Sequence, residues 1–151
     1  MSAPDTELAD VVARLRRAMR RAARGADPAN PLSVAQLEVL SYLAESPGAQ
    51  PSQVARALRL APNSVTTLVN GLATRELVTR ASGDNDRRTV RLTLTGSGER
   101  AVGAWQATNA AILRGALADL HPGWRQLLTA ALPALRELIT AIDQLTDRDR
   151  P

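Results

Sequence analysis

Residues 52–60 read SQVARALRL, residues 62–72 read PNSVTTLVNGL, and a hairpin follows with LVTRA at 77–81 and TVRLTL at 89–94. The turn of that hairpin, residues 82–88, reads SGDNDRR. Two helical segments followed at this spacing by a charged hairpin are typical of a winged helix-turn-helix. In that fold the second helix enters the major groove of DNA and the hairpin lies beside it. This stretch therefore predicts the fold and indicates a DNA-binding surface.

The second helical segment separates an apolar face from a polar one. Its apolar residues recur with the period of a helix, which predicts one buried stripe. The opposite face carries small hydrogen-bonding side chains, which have little bulk to hold a DNA groove away. The stripe consists of Val65, Leu68, Val69 and Leu72. The residues predicted to contact DNA from the two helices are Ser52, Asn63, Ser64, Thr66, Thr67 and Asn70.

The hairpin has a strand with one apolar face and a tip that carries charge. Val90, Leu92 and Leu94 alternate with polar residues, which predicts that their side is dry. Arginines on a projecting tip can reach phosphates or enter a narrow minor groove, where the potential is strongly negative. Asp86 is predicted to orient one of them through a charge-assisted hydrogen bond. The alternative for Asp86 is an exposed ion pair worth at most about 1 kcal/mol. The hairpin residues predicted to contact DNA are Arg80, Arg87 and Arg88.

Two groups of residues resemble the MarR family of bacterial regulators. The hairpin residues 86–95, DRRTVRLTLT, together with Gly98, are similar to the wing of that family, and residues 54–72 are similar to its helix-turn-helix. The resemblance covers nearly the whole chain. It implies a homodimeric winged-helix repressor or activator that is often released from DNA by a small molecule or an oxidant. By this likeness Arg88 is the wing-tip arginine, Asp86 is its partner and residues 62–74 are the recognition helix.

Four positions depart from the family pattern. The recognition helix often carries basic residues where this chain has Thr67 and Gly71. A glycine commonly ends the helix where this chain has Glu76. Ala61 replaces a capping serine, which leaves Asn63 or solvent to satisfy the first amides of the helix. These departures affect the expected sequence preference and leave the expected fold unchanged.

Composition bounds the class of protein. With 151 residues and 44% apolar residues the chain is predicted to form one domain with a real core. That core must be aliphatic, because the chain has two Trp, one Tyr and no Phe. The absence of cysteine and the presence of a single histidine, His121, exclude a clustered metal site, and no cofactor is expected. No apolar run is as long as a membrane span and no signal sequence is present, so we expect a cytoplasmic protein.

The segments on either side of the winged helix predict dimerisation. Residues 6–26 and 96–146 contain helical apolar stripes, and the second is longer than one small domain needs to cover itself. Pro133 is expected to kink or split the last helix. Helices from both ends that pack across a two-fold axis would bury these stripes. Two recognition helices would then lie roughly 34 Å apart and require an inverted-repeat site in double-stranded DNA.

An effector site is suggested by the resemblance alone. The family likeness points to the crevice between the dimer helices and the winged helix, where Tyr42, Trp105 and one of Arg17 or Arg21 are the residues to test. Each has a structural alternative, since the two aromatic residues can belong to the core and the arginines to a solvated surface. No ligand chemistry follows from these residues.

We therefore predict a mainly α protein with a β-hairpin wing, formed as a single domain over residues 1–151. The winged helix-turn-helix comprises residues 33–95, and the flanking helices form the dimerisation part. The predicted function is a sequence-specific transcriptional regulator, most simply a homodimeric repressor of a nearby promoter. The alternative is a helical adaptor that uses the winged helix for protein contacts. An enzyme is disfavoured, because the chain has no phosphate-binding glycine loop, no cysteine and no recognisable pair of carboxylates.

Overall fold

A computed structural model describes residues 3–83 and 88–148. The chain divides into two compact units, one up to Ile112 and one from Leu113 onwards. In chain order the elements are α1 (Pro4–Ala26), α2 (Val34–Glu45), α3 (Pro51–Leu58), α4 (Pro62–Thr74), β1 (Val78–Ser82), β2 (Val90–Leu94), α5 (Gly96–Ala118) and α6 (Pro122–Arg148).

Local hydrogen bonds fix the starts of α2 and α5. At α2 the Ser33 hydroxyl accepts from the Gln36 amide at 3.1 Å, and the Gln36 side chain accepts from the Ser33 amide at 3.0 Å. This reciprocal pair is a capping box. At α5 the Thr95 hydroxyl accepts from the Gly98 amide at 3.0 Å. Thr95 therefore caps the start of α5.

The core of the first unit is aliphatic, as the composition predicts. The fully buried side chains come from α2, α3, α4 and β2, and Val102 adds α5 to the same cluster. Tyr42 is half-buried against this cluster. The largest fully buried residues are Leu40, Leu43, Leu72, Leu92, Val39, Val54 and Val65.

The wing is an antiparallel pair of strands with a third short partner. Val78 pairs with Leu94 and Ser82 pairs with Val90. The Leu92 amide donates to the Ala49 carbonyl at 2.9 Å, and the Gly48 amide donates to the Leu92 carbonyl at 3.0 Å. The predicted dry face holds for Leu92, which is fully buried, but not for Val90, which is exposed. Val90 pairs with Ser82 at the tip end of the hairpin, two residues from the buried Leu92.

The second unit contains α6, where Pro133 was expected to either kink or split the helix. The helix is not split, since it continues as one element from Pro122 to Arg148 with Pro133 inside it. Proline removes a single amide donor, and the remaining turns keep their own hydrogen bonds. His121 immediately precedes this helix, and its Nδ1 accepts from the Gly123 amide at 3.1 Å.

Candidate nucleic-acid interface

Helix α4 presents its polar face to solvent. Its apolar stripe packs inward: Val65, Val69 and Leu72 are buried, and Leu68 is half-buried against the same core. This confirms the predicted orientation of the helix. All six residues predicted to contact DNA from α3 and α4 are exposed, namely Ser52, Asn63, Ser64, Thr66, Thr67 and Asn70.

The threonines of α4 use their hydroxyl protons within the helix. Thr66 donates to the Pro62 carbonyl at 3.0 Å, and Thr67 donates to the Asn63 carbonyl at 3.1 Å. A hydroxyl has one proton and two lone pairs, so each threonine retains an acceptor oxygen and a methyl group for an outside contact. These side chains are therefore suited to meet base-edge donors or the methyl group of thymine.

The first turn of α4 shows how the chain compensates for Ala61. No side chain caps this helix from the Ala61 position, and Pro62 lacks an amide hydrogen of its own. The Asn63 side-chain oxygen accepts from the Ser64 amide at 2.9 Å. Asn63 thus satisfies one of the first amides, as predicted from the sequence.

Asn70 lies beside the wing. The guanidinium of Arg80, on β1, donates a hydrogen bond from Nη2 to the Oδ1 of Asn70, on α4. Both residues are exposed, and both were predicted as DNA contacts. The structure therefore joins two predicted contacts from separate elements.

Gly71 follows Asn70 and makes room for a neighbouring side chain. A Cβ at Gly71 would lie 2.9 Å from the Nε2 of Gln36, the residue that caps α2. A side chain at position 71 would therefore require the end of the Gln36 side chain to move.

A hydrogen bond links the residues that follow α4 to the residue that precedes α5. Glu76 has a φ of 58°, in the left-handed region that favours glycine. Its carbonyl accepts from the Thr95 hydroxyl at 2.6 Å. Glu76 thus takes the conformation that a glycine adopts more easily, and Thr95 holds it there.

The wing tip is described in part. Arg88 is exposed next to the start of β2, and below it the Gly83 amide donates to the Thr89 carbonyl at 2.7 Å. Asp86 and Arg87 lie outside the described residues, so the predicted orienting role of Asp86 remains a prediction.

The positive charge near the polar face of α4 comes from the elements that surround this helix. Helix α4 has no charged residue, whereas the surrounding elements carry exposed arginines. Arg91, which was not among the predicted contacts, donates to the Gly48 carbonyl at 3.3 Å. Arg91 alternates with the apolar residues of β2, and this position on the polar side of the strand is the sequence signal that could have identified it as a candidate contact. The exposed arginines on these elements are Arg56, Arg59, Arg75, Arg80, Arg88 and Arg91.

A cavity of about 430 Å³ lies elsewhere in the first unit. The end of α1, the following loop, the start of α2 and part of α5 line it. Trp105 is in its wall, together with Arg20 and Arg24. The two arginines named from the sequence, Arg17 and Arg21, do not line it. Arg20 and Arg24 are one helical turn apart on α1, and this spacing is the sequence signal that marks them as neighbours.

Two further properties concern residues 3–83 and 88–148. Within these ranges, no group of three or more His, Cys, Asp or Glu side chains is arranged to hold a metal ion. None of the helices described there combines the length and the apolar character needed to cross a membrane.

Comparison with known proteins matches residues 30–89 to the model of the MarR family. The HTH-type transcriptional regulator Mb0904 of Mycobacterium bovis is 30% identical over 121 residues, which are 80% of this chain and 85% of that protein. The chain belongs to the MarR family. The resemblance inferred from the wing and the helix-turn-helix is thereby confirmed, and the protein is a DNA-binding transcriptional regulator of this family.

Solved structures show the same fold. RV1404 from Mycobacterium tuberculosis aligns with this MarR-family chain with a TM-score of 0.79 at 19% identity, over 91% of this chain and 95% of that one. FabT from Streptococcus pneumoniae, solved in complex with DNA, aligns with a TM-score of 0.70 at 17% identity, over 93% and 99% of the two chains. The predicted winged helix-turn-helix is confirmed.

Proposed function

We propose that this MarR-family regulator binds an inverted-repeat operator in double-stranded DNA as a homodimer and represses a nearby promoter. One observation supports this most strongly: the uncharged, hydrogen-bonding face of α4 is exposed beside the arginines of the wing. Base edges are recognised by hydrogen bonds and methyl contacts, whereas phosphates are bound by cations. The two chemistries lie on adjacent surfaces of one unit.

The arginines around α4 other than Arg80, which is hydrogen-bonded to Asn70, are suited to the sequence-independent part of binding. Each phosphate neutralised by a cation releases condensed counterions, so affinity falls steeply as salt rises. Arg88 on the wing is the residue proposed to reach the phosphates or the minor groove beside α4. Asp86 is proposed to hold Arg88 in one orientation through a charge-assisted hydrogen bond.

Homodimer formation is supported by exposed apolar surface in each unit. On α1, Leu8, Val11, Val12 and Leu15 are exposed on one helical stripe. On α6, Trp124 is 62% exposed, and it begins a stripe of exposed aliphatic residues that ends at Leu145. Contiguous apolar patches of this kind mark interaction surfaces. A second copy that covers the two stripes would hold two α4 helices at the spacing of one DNA turn, roughly 34 Å.

Release from DNA by a small molecule is the regulatory part of the proposal. The cavity beside Trp105 is in the size range of small-molecule sites, about 300–1,000 Å³, and two arginines line it.

In a Trp124→Phe variant, Trp105 would be the only tryptophan, because the chain has two. Fluorescence of that variant should change with any molecule that releases the protein from DNA. A releasing molecule that leaves Trp105 fluorescence unchanged would contradict this placement.

The function is tested by titrating the protein with the DNA that flanks its own gene and with a scrambled duplex of equal length, at two salt concentrations. Fragments selected from the genome extend the search to distant operators. We expect preferential binding to one natural sequence, with an affinity that falls steeply with salt. Weak and equal binding to all duplexes would instead favour the adaptor that uses the winged helix for protein contacts.

A further inference from the structure

The hydrogen bond between Arg80 and Asn70 fixes the direction of an amide on the face of α4. Arginine has five donors and no acceptor, so the atom of Asn70 that faces its guanidinium is the oxygen. The Nδ2 group is then turned away from Arg80. Within the described part of the chain, Nδ2 of Asn70 has no hydrogen-bond partner, and the residue is exposed. The amide is therefore held with its two donors available for an outside contact.

We propose that Arg80 is a positioning residue that makes Asn70 a hydrogen-bond donor to a base edge. The proposal rests on the proposed binding of an operator. An asparagine that is free to turn can pair with adenine through both its oxygen and its nitrogen. Here one lone pair of the oxygen accepts from Arg80, which directs the oxygen toward β1, so the Nδ2 donors would face a base and could not pair with the adenine N6 donors. Guanine offers two acceptors, O6 and N7, and no donor on its major-groove edge, so it is the base that Asn70 fits.

The positions of Arg80 and Asn70 in the fold support the proposal that Arg80 acts by orienting Asn70. Arg80 lies on β1 opposite Leu92, a fully buried residue of β2, so its backbone is anchored in the body of the unit. Asn70 lies on α4, whose other face is anchored by Val69 and Leu72. The hydrogen bond thus joins two rigid elements. A direct contact between Arg80 and a phosphate is the competing role, and it makes different predictions.

The test begins with an operator selected by the wild-type protein from random duplexes. Operators that carry each of the four possible base pairs at every position are then prepared. Each operator is titrated with the wild type, Asn70→Ala, Arg80→Ala and the double variant. Arg75→Ala is the matched control, since it removes another exposed arginine, the residue that follows α4. Melting curves establish that all variants fold. The dependence of affinity on salt is measured for each protein.

We expect Asn70→Ala to lose discrimination at one base pair, where the wild type prefers guanine by about tenfold. Arg80→Ala should lose the same discrimination at the same base pair, and the double variant should lose no more than either single variant. The slope of log affinity against log salt should stay as steep in Arg80→Ala as in the wild type. Arg75→Ala should keep the wild-type preference at that base pair.

Three results would overturn the proposal. A uniform loss on all sequences in Arg80→Ala, with a salt slope reduced by about 0.9 per protomer, would show a phosphate contact instead. A preference for adenine at the position that Asn70 reads would show that the amide is not held as inferred. If the wild type selects no sequence at all, the proposed operator binding fails, and the role of Arg80 fails with it.

Discussion

Gly98 and Leu77 are in backbone contact at the base of the wing. A Cβ at Gly98 would lie 2.1 Å from the carbonyl oxygen of Leu77, closer than any non-bonded carbon and oxygen can approach. The same Leu77 carbonyl accepts from the Thr95 amide at 3.0 Å. The first turn of α5 is therefore held directly against the residue that precedes β1. The glycine in the wing signature has a structural reason, since any side chain would separate these two segments.

Gly98→Ala is expected to destabilise the protein by at least about 2 kcal/mol, because the backbone must move to admit the methyl group. Chemical denaturation of the purified variant measures the change in the free energy of unfolding. Gly103→Ala is the matched control, since nothing lies within 4 Å of a Cβ at Gly103, on the same helix. It should be neutral or stabilising by up to about 1 kcal/mol. Equal stability of the two variants would contradict the close contact.

Arg88→Ala is expected to weaken operator binding while the melting temperature stays unchanged, because the side chain is exposed. If Arg88 contacts a phosphate, the salt slope should fall by about 0.9 per protomer. Fluorescence anisotropy with a labelled operator at several salt concentrations measures both quantities. Arg125→Ala, which removes an exposed arginine from α6, is the control. Loss of folding in Arg88→Ala, or an equal effect of both variants, would refute the role of the wing tip.

Thr66 provides a test of how α4 meets the bases. Because its hydroxyl proton is bonded to the Pro62 carbonyl, we expect its methyl group to make the contact. Thr66→Val should keep operator preference, whereas Thr66→Ser should lose about fourfold, the value of one buried methyl group. Competition between operator and random DNA measures the preference. The reverse order of the two variants would show that the hydroxyl oxygen is the part that reads the base.

Leu135→Asp tests the apolar stripe of α6. Leu135 is 40% exposed in the single chain, so a carboxylate would cost little there unless a second copy covers it. We expect the variant to dissociate or unfold, as measured by light scattering together with circular dichroism. Gln144→Asp introduces the same charge at an exposed polar position of α6 and should remain dimeric. A folded, monomeric Leu135→Asp that binds the operator as tightly as the wild type would refute the proposed dimer.

Local signals were sufficient to predict α4 and its orientation. Pro62 starts the helix, and the helical spacing of its apolar residues agrees with the burial of Val65, Val69 and Leu72. The cap at Thr95 was also local, because it joins residues three apart. Such features depend on neighbours in the chain, so they can be read from sequence alone.

Contacts between distant segments were not predictable in the same way. The pairing of Ala49 with Leu92 spans the whole helix-turn-helix, and no periodicity marks residues 48 and 49 as a strand. The hydrogen bond from Arg80 to Asn70 depends on β1 and α4 lying next to each other at these two residues. No pattern in the sequence of either element specifies that placement. Arg20 and Arg24 could not be singled out as cavity residues for a related reason. The arginines of α1 lie on several faces of the helix. Which of these faces borders the cavity is decided by the packing of α2 and α5.

The central claim is that two copies of α4 read two half-sites held at a fixed spacing. The most direct test is the affinity of the wild-type protein for its selected operator, before and after insertion of about five base pairs at the centre of symmetry. Half a turn of added DNA places the second half-site on the opposite side of the duplex. We predict that affinity falls to the level of scrambled DNA. Unchanged affinity after the insertion would contradict a homodimer that reads both half-sites.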